Sequence, residues 1–202
     1  MKREVIPFTT EEAWLKERTK WLTSSDIPCL FNVGYQTYEE LFQNKLHQKQ
    51  NKIEESEEMS WGKYLEDRIA QRFCDVNKWE FRHKSEFIII PEYKIASSFD
   101  YEISIGNGVG FKAEALLEIK NVNEWKYKKD WIQGFEIQAT PYIELQLQNE
   151  LLVSGLEVGY IGALIGGCKG ILLKRTANKK IQDAILLKAA EFWRKIDESN
   201  NP

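Results

Sequence analysis

Apolar residues recur along this chain first at helical and then at strand spacing. In residues 59–74, Leu65, Ile69 and Phe73 stand four positions apart, and this spacing predicts a helix with one buried face. Short apolar runs follow this helix, bounded by polar or glycine-rich segments, which is typical of β-strands. The predicted strands cover residues 86–90, 94–104, 115–120, 158–165 and 170–175.

The remaining segments are predicted to be helices, a turn and a loop. The glycine-rich stretch "GNGVG" at 106–110 would join the second and third strands as a hairpin, because it lacks the Lys-Ser/Thr pair of a phosphate-binding loop. The polar, acidic stretch "NKIEESEE" at 51–58 is predicted to be an exposed loop. Helices are predicted at residues 9–21, 23–31, 37–50, 136–154 and 177–196.

This order of elements predicts a single α/β domain spanning residues 1–202. A helical segment of about residues 1–58 comes first. A core of about residues 59–202 follows, in which helices flank a small mixed sheet. The length is sufficient for one well-buried domain.

Composition and charge narrow the class of protein. No apolar run is long enough to cross a bilayer, the first residues lack the apolar core of a signal peptide, and three scattered cysteines form no paired spacing. We therefore expect a soluble intracellular protein. The net charge of −3 argues against a protein that coats nucleic acid without specificity, but local basic clusters at 126–129 ("KYKK") and 174–180 ("KRTANKK") leave room for a nucleic-acid enzyme.

Two predicted strands carry residues that a core strand does not need. Glu118 and Lys120 share one face of the strand "ALLEIK", because side chains alternate across a strand. Asp100 lies late in the predicted hairpin partner. Two carboxylates at one sheet edge suit Mg²⁺, and a lysine beside them could orient water and offset charge in the transition state of phosphodiester cleavage. An ordinary surface Glu–Lys pair is the alternative.

Two helices add polar residues on faces otherwise suited to packing. Glu66 follows Gly62 and precedes Ala70 on one face of the helix 59–74. Gln146 and Glu150 lie one turn apart on the later helix. A third acid for a metal site would explain the glutamate, and a metal-bound water or a phosphate would satisfy a buried amide. Half-exposed, solvated side chains are the alternative for both helices.

In this order, the motifs resemble those of one family. Glu66 in "SWGKYLED", Asp100 in "SSFDYE", Glu118-x-Lys120 and the helix "QLQNELLVSG" resemble the lambda-exonuclease branch of the PD-(D/E)XK nucleases, the YqaJ-type phage recombinases. The segment "WLKERTKWLTSSD" is similar to that family's W-x-x-x-R-x-x-x-I-T-A-S-[DE] segment, and "AAEFWRKI" resembles its terminal helix. The resemblance covers about residues 12–197 and implies a restriction-endonuclease-like core.

The resemblance implies a Mg²⁺ site, at which Mn²⁺ would substitute. Asp100, Glu118 and the backbone carbonyl of Ile119 would hold the ion, and Glu66 would belong to a second metal site or its surroundings. Lys120 would position or activate the nucleophilic water. Here the Pro and Gly that usually flank the first acid are replaced by Phe and Tyr, and the spacing from this acid to the glutamate is longer than usual.

The resemblance also implies a pocket for the 5′-terminal phosphate of DNA. Arg18 and Ser25 match positions that hold this phosphate in the family. Lys126 stands where the lambda-type enzyme has an arginine, and as a point charge it cannot form a bidentate fork. Gln146 would lie beside the attacking water.

The resemblance also implies a function. Enzymes of this kind degrade one strand of linear duplex DNA from its 5′ end to mononucleotides and leave a 3′ overhang. They form ring-shaped trimers around DNA and pass the overhang to a single-strand annealing recombinase. We expect a phage or prophage protein in the bacterial cytoplasm, with no membrane partner.

Two other functions remain open from the sequence. A restriction-like endonuclease or junction resolvase would use the same acids, but it has no need of a pocket for a terminal phosphate. A non-catalytic DNA-binding protein on the same fold is the other alternative, and the intact acids and lysine argue against it.

Overall fold

The structure, a computed structural model, describes residues 1–49, 55–106 and 110–200. Helices and strands alternate along these residues. The helices are α1 (Glu11–Arg18), α2 (Tyr38–Leu46), α3 (Glu57–Asn77), α4 (Glu124–Lys126), α5 (Pro141–Ser154) and α6 (Lys179–Asn200). The strands are β1 (Glu4–Pro7), β2 (Leu22–Thr23), β3 (Glu80–Arg82), β4 (Glu86–Ile90), β5 (Ile95–Ser97), β6 (Tyr101–Ser104), β7 (Ala115–Val122), β8 (Ile132–Gln133), β9 (Glu136–Ile137), β10 (Val158–Ile165) and β11 (Lys169–Thr176). Among the described helices, none is long and apolar enough to span a membrane.

A five-stranded mixed sheet forms the centre of the molecule, in the order β11-β10-β7-β6-β3. Strand β7 pairs in parallel with β10 and antiparallel with β6. Helix α3 packs on one face of the sheet and helix α5 on the other. Because both faces are covered, β7 begins with the nearly continuous apolar run "ALLEI" rather than an alternating pattern.

A second, four-stranded sheet has the order β1-β4-β5-β2. Helices α2, α5 and α6 pack beside it around a core that includes Ile90, Ile95 and Phe192. The prediction of a purely helical N-terminal segment was therefore incomplete. Strands β1 and β2 lie in this segment and pair with β4 and β5, which follow α3 in the chain. Such short strands owe their formation to distant partners, so local periodicity does not reveal them.

The predicted strand at 94–104 was wrong in one respect that matters for the site. It is two strands, β5 in the four-stranded sheet and β6 in the five-stranded sheet. The chain crosses between the sheets at residues 98–100, so Asp100 lies in a bend rather than within a strand. Both strands are buried on both faces, and no glycine or proline marks the break between them.

The predicted helix at 136–154 was wrong at its start, because α5 begins at Pro141. Proline fits the first turn of a helix and disfavours helical backbone in the residue before it. The preceding residues form the short hairpin β8–β9 instead.

Other predicted elements are confirmed with small shifts of their ends. Strand β10 has the predicted limits, and β6 and β7 pair as the predicted hairpin. Residues 107–109 of the predicted turn and residues 50–54, at the end of the third predicted helix and in the predicted loop, lie outside the described residues. The helix predicted at 23–31 is a 3₁₀ helix at Ile27–Phe31.

Candidate active site

Glu118 lies in the middle of β7, on the face covered by α5. Its side chain is 1% exposed. The Lys120 ammonium contacts Glu118 Oε1, and Gln146 on α5 donates from Nε2 to the same oxygen at 2.6 Å. The amide nitrogen of Gln146 also lies 3.1 Å from Glu150 Oε1, one turn further along the helix. The structure thus brings together three predicted site residues, Glu118, Lys120 and Gln146.

Asp100 joins this group from the bend between β5 and β6. Its Oδ2 accepts a hydrogen bond from the backbone N–H of Ile119 at 2.9 Å. The backbone amide of Ile119, between Glu118 and Lys120, therefore holds Asp100 against β7. His83 contacts the backbone carbonyl of Asp100 at 2.9 Å through Nδ1. The bend thus places Asp100 beside the middle of β7.

Acidic side chains crowd this site. Burial, and then repulsion by Glu118, raises the pKa of Asp100 and of Glu150 well above the usual range of a carboxyl. The same two causes, in the same order, raise the pKa of the half-buried Glu66 on α3. Burial acts to lower the pKa of Lys120, but attraction by Glu118 and Asp100 outweighs it and raises that pKa. Four carboxyl groups and one ammonium thus share this site.

The donor set fits a divalent cation. Glu118 Oε2 is buried and has no hydrogen-bond partner among the described residues, although buried polar atoms are nearly always paired. Carboxylate oxygens are the ligands that Mg²⁺ prefers. In the described part of the chain, no three acids, histidines or cysteines already stand in ligating positions, and the lysine ammonium lies on the other oxygen of the glutamate.

Arg18 and Ser25 form a second polar cluster. Arg18 Nη2 donates to Ser25 Oγ at 2.6 Å, and Ser25 Oγ lies 3.1 Å from Thr23 Oγ1. The guanidinium is stacked 4.5 Å above the centre of the Trp14 ring. Helix α1 ends at the arginine, and the serine follows β2, so both residues stand at the ends of elements with their polar atoms partly exposed. This pair can bind an anion.

A buried ion pair supports the turn beneath Ser25. Lys45 Nζ donates to Asp26 Oδ2 at 2.8 Å and to the carbonyls of Arg18 and Trp21, each at 2.7 Å. The Thr23 backbone and hydroxyl donate to the same carboxylate oxygen at 2.9 and 2.8 Å.

The two partners of this ion pair respond differently to burial. Burial alone would raise the pKa of Asp26, but the charges of Lys45 and Arg18 lower it below its usual value. The pKa of Lys45 is lowered by burial despite the attraction of Asp26. The lysine therefore carries a desolvation cost that the aspartate does not fully offset.

Side-chain hydrogen bonds connect the two polar clusters. Ser24 Oγ lies 2.7 Å from Ser97 Oγ, and Asn149 on α5, next to Glu150, donates to Ser24 Oγ at 2.8 Å. Ser97 ends β5 and leads within three residues to Asp100. The Arg18–Ser25 cluster and the carboxylate cluster are therefore built on adjoining segments.

Lys126 is not part of the Arg18–Ser25 cluster in this conformation. It lies on the short helix α4 after β7, half-exposed, and its ammonium is 3.7 Å from Glu58 at the start of α3. Lys128 pairs with Glu124 at 2.6 Å. The basic run after β7 is thus partly neutralised by neighbouring acids.

Sequence reasoning gave no role to two residues that the structure places in these clusters. Glu150 is a fourth carboxylate, and its spacing of four from Gln146 was an available signal. Lys45 had no such signal, because it is one lysine in a polar helix and its partner Asp26 is 19 residues away.

The chain is similar to known proteins in sequence and in fold. The YqaJ-like viral recombinase domain family matches residues 13–157. The uncharacterized protein YqaJ of Bacillus subtilis (strain 168) is 31% identical over 197 residues, which are 94% of this chain, and the chain spans 58% of that relative's length.

Two solved structures share the fold. LHK-Exo in complex with dAMP matches with a TM-score of 0.77 at 15% identity, and the alkaline exonuclease LHK-Exo from Laribacter hongkongensis matches with 0.74 at 16% identity. Each match covers 93% of both chains. The predicted restriction-endonuclease-like α/β fold is confirmed.

Proposed function

The chain belongs to the YqaJ-like viral recombinase family, and we propose that it is a Mg²⁺-dependent exonuclease that degrades one strand of linear duplex DNA from its 5′ end. One observation carries the proposal. The carboxylate cluster with Lys120 and Gln146 is built on segments that adjoin the Arg18–Ser25 cluster, because Ser24, next to Ser25, contacts Ser97 before Asp100 and Asn149 before Glu150. A nuclease that begins at a terminal phosphate needs both sites in this proximity.

The carboxyl groups of the cluster would bind the metal. Asp100 and Glu118, with the Ile119 carbonyl, would hold one Mg²⁺ or Mn²⁺, and Glu66 would serve a second ion or its surroundings. When bound, the metal supplies Lewis-acid polarisation of the phosphodiester and a hydroxide near neutral pH. Glu118 Oε2, which has no hydrogen-bond partner in the part of the chain that the structure describes, supports this assignment.

Lys120 and Gln146 act on the attacking water and on the developing charge. Both side chains already point at one oxygen of Glu118 and are thereby held in place before substrate arrives. The ammonium offsets negative charge on the phosphorane-like transition state, and the amide orients the water. Glu150 accepts from the same amide and limits its rotation.

The Arg18–Ser25 cluster would determine that digestion starts at the 5′ end. Arg18 and Ser25 would bind the 5′-terminal phosphate, and the Trp14 ring would hold the guanidinium in place. Lys126 would join them by leaving Glu58, a weak and exposed ion pair that costs little to break. The product would be a 5′-mononucleotide, in keeping with the dAMP complex of the solved LHK-Exo.

The larger assembly belongs to the same proposal. A ring-shaped homotrimer would enclose the duplex, with the run at 126–129 on its inner wall and acidic surfaces outside. The 3′ overhang would pass to a single-strand annealing recombinase in the cytoplasm of a bacterial host. The family's description as a viral recombinase domain supports this role.

A digestion assay tests the proposal. Linear duplexes with 5′-phosphate or 5′-hydroxyl ends, and a closed circle, are incubated with Mg²⁺ and wild-type protein or Lys120→Ala. We expect loss of one strand from the phosphorylated linear duplex, slower loss from the hydroxyl end, an intact circle and an inactive variant. Cutting of the circle would favour an endonuclease, and no cleavage of any substrate would leave a DNA-binding protein.

A further inference from the structure

An exposed tyrosine, Tyr35, contacts the helix that carries Gln146. Tyr35 is 88% exposed, and its ring lies 4.5 Å from the ring of Tyr142, centre to centre, at an interplanar angle of 55°. Tyr142 is on α5, exactly four residues before Gln146, so the two side chains share a helix face. Since Gln146 contacts Glu118, the tyrosine pair lies one helical turn from the carboxylate cluster.

The charges that act on Tyr142 come from both clusters. Burial is the main cause that raises its pKa, and Lys120, Glu118 and Asp26 also influence it. Asp26 supports the turn that carries Ser25, and Lys120 contacts Glu118. Tyr142 therefore lies within electrostatic range of Asp26, which supports the turn of Ser25, and of the Glu118–Lys120 pair.

The backbone holds Tyr35 in this exposed position. A side chain at Gly34 would place its Cβ 2.3 Å from Cys29 Sγ, so the chain before Tyr35 packs directly on the buried 3₁₀ helix Ile27–Phe31. On the other side, Gln36 Oε1 accepts from Asn44 Nδ2 at 3.3 Å, and α2 begins two residues later. An exposed ring between two anchored neighbours costs little entropy when it binds a ligand.

We propose that Tyr35, supported by Tyr142, is a stacking platform for the nucleobase of the terminal nucleotide. The inference rests on the proposed function. A nucleotide with its 5′ phosphate at the Arg18–Ser25 cluster and its 3′ phosphodiester at Glu118 must cross the space between them, and Tyr35 contacts Tyr142 on the helix that carries Gln146 to Glu118. Aromatic side chains bind single-stranded bases by stacking, and they do so with little sequence preference because every base has a π face. The interaction would hold the first nucleotide out of the duplex in a sequence-tolerant way.

Removing the Tyr35 ring and the terminal base, separately and together, isolates the contribution of their contact. Two 5′-phosphorylated duplexes are compared, one with a normal terminal nucleotide and one with an abasic tetrahydrofuran nucleotide at that position. The kcat/KM for release of the first residue is measured for wild type, Tyr35→Ala and Tyr35→Phe. Wild type and Tyr35→Phe are expected to favour the base-bearing end by roughly tenfold, and Tyr35→Ala is expected to reduce this ratio to below about twofold.

Tyr160→Ala is the matched control. Tyr160 contacts Trp79 in similar geometry, 4.6 Å and 49°, but it belongs to the core on the α3 face of the sheet, away from Glu118. Its ratio should stay near that of wild type, even where the overall rate falls. A Tyr35→Ala ratio equal to that of wild type, or an equal loss in Tyr160→Ala, would overturn the stacking platform. A wild-type protein that releases no nucleotide from either duplex would overturn the proposed function as well.

Discussion

The buried ion pair between Lys45 and Asp26, next to the Arg18–Ser25 cluster, gives a quantitative prediction about stability. Lys45→Met keeps the apolar part of the side chain and removes the ammonium that donates to Asp26, Arg18 and Trp21. The side chains of Lys45 and Asp26 are 7% and 9% exposed, so water cannot replace the lost donor. Breaking a buried pair by removing one partner costs about 3–5 kcal/mol. For a chain of this length that lowers the melting temperature by about 10 °C.

The assay is equilibrium unfolding in urea, with an exposed ion pair as control. Lys20 pairs with Glu17 at 2.7 Å, but its side chain is 45% exposed, so Lys20→Met should cost less than about 1 kcal/mol. The double variant Lys45→Met, Asp26→Asn should recover part of the loss, because no unpaired charge remains. A Lys45→Met variant no less stable than Lys20→Met would refute the structural role of the pair.

The pH dependence of stability has a definite sign for the same pair. The pKa of Asp26 is lower in the folded protein than its ordinary value of 3.8, so its ionised form is favoured by folding. Its contribution to the free energy of unfolding is therefore complete above pH 3.8 and is lost as pH falls through the folded pKa. The stability difference between wild type and Asp26→Asn should shrink on going from pH 5 to pH 3. An unchanged difference over this range would contradict the lowered pKa.

Three further predictions concern the site and its supports. Arg18→Lys should reduce the preference for 5′-phosphate over 5′-hydroxyl ends by about tenfold, because an ammonium cannot form a planar fork, and the ratio of digestion rates measures it. Gly34→Ala should destabilise the protein by about 1–3 kcal/mol in urea, because the new methyl group meets Cys29 Sγ, whereas Gly62→Ala has open space and should not. Removal of divalent ions by a chelator should abolish digestion, and Mg²⁺ or Mn²⁺ should restore it.

The sequence predicts well those elements whose own periodicity carries the signal. Helix α3 and strand β10 are examples, because their apolar residues mark a buried face or a fully buried strand. The bend at Asp100 was not predicted, since β5 and β6 are both buried and no glycine or proline between them marks a turn. The start of α5 at Pro141 is predictable from proline chemistry alone, because the residue before a proline disfavours helical backbone.

The candidate site likewise contains residues that the sequence predicts and residues that it does not. Glu118, Lys120 and Gln146 were predicted from alternation in a strand and spacing in a helix, and the fold brings them into contact. Lys45 and Tyr35 were not predicted as part of it. Lys45 contacts Asp26 and Tyr35 contacts Tyr142, and both partners are distant in the sequence. A local sequence pattern does not reveal such contacts.

The polarity of digestion tests the proposed function most directly. A linear duplex with 5′-phosphate ends carries a label either at the 5′ end or at the 3′ end of one strand, and products are resolved over time in Mg²⁺. We expect the 5′ label to appear at once as a mononucleotide, while the 3′-labelled strand shortens progressively. Release of the 3′ label first, or internal fragments that keep the 5′ label, would contradict an exonuclease that starts from the 5′ phosphate.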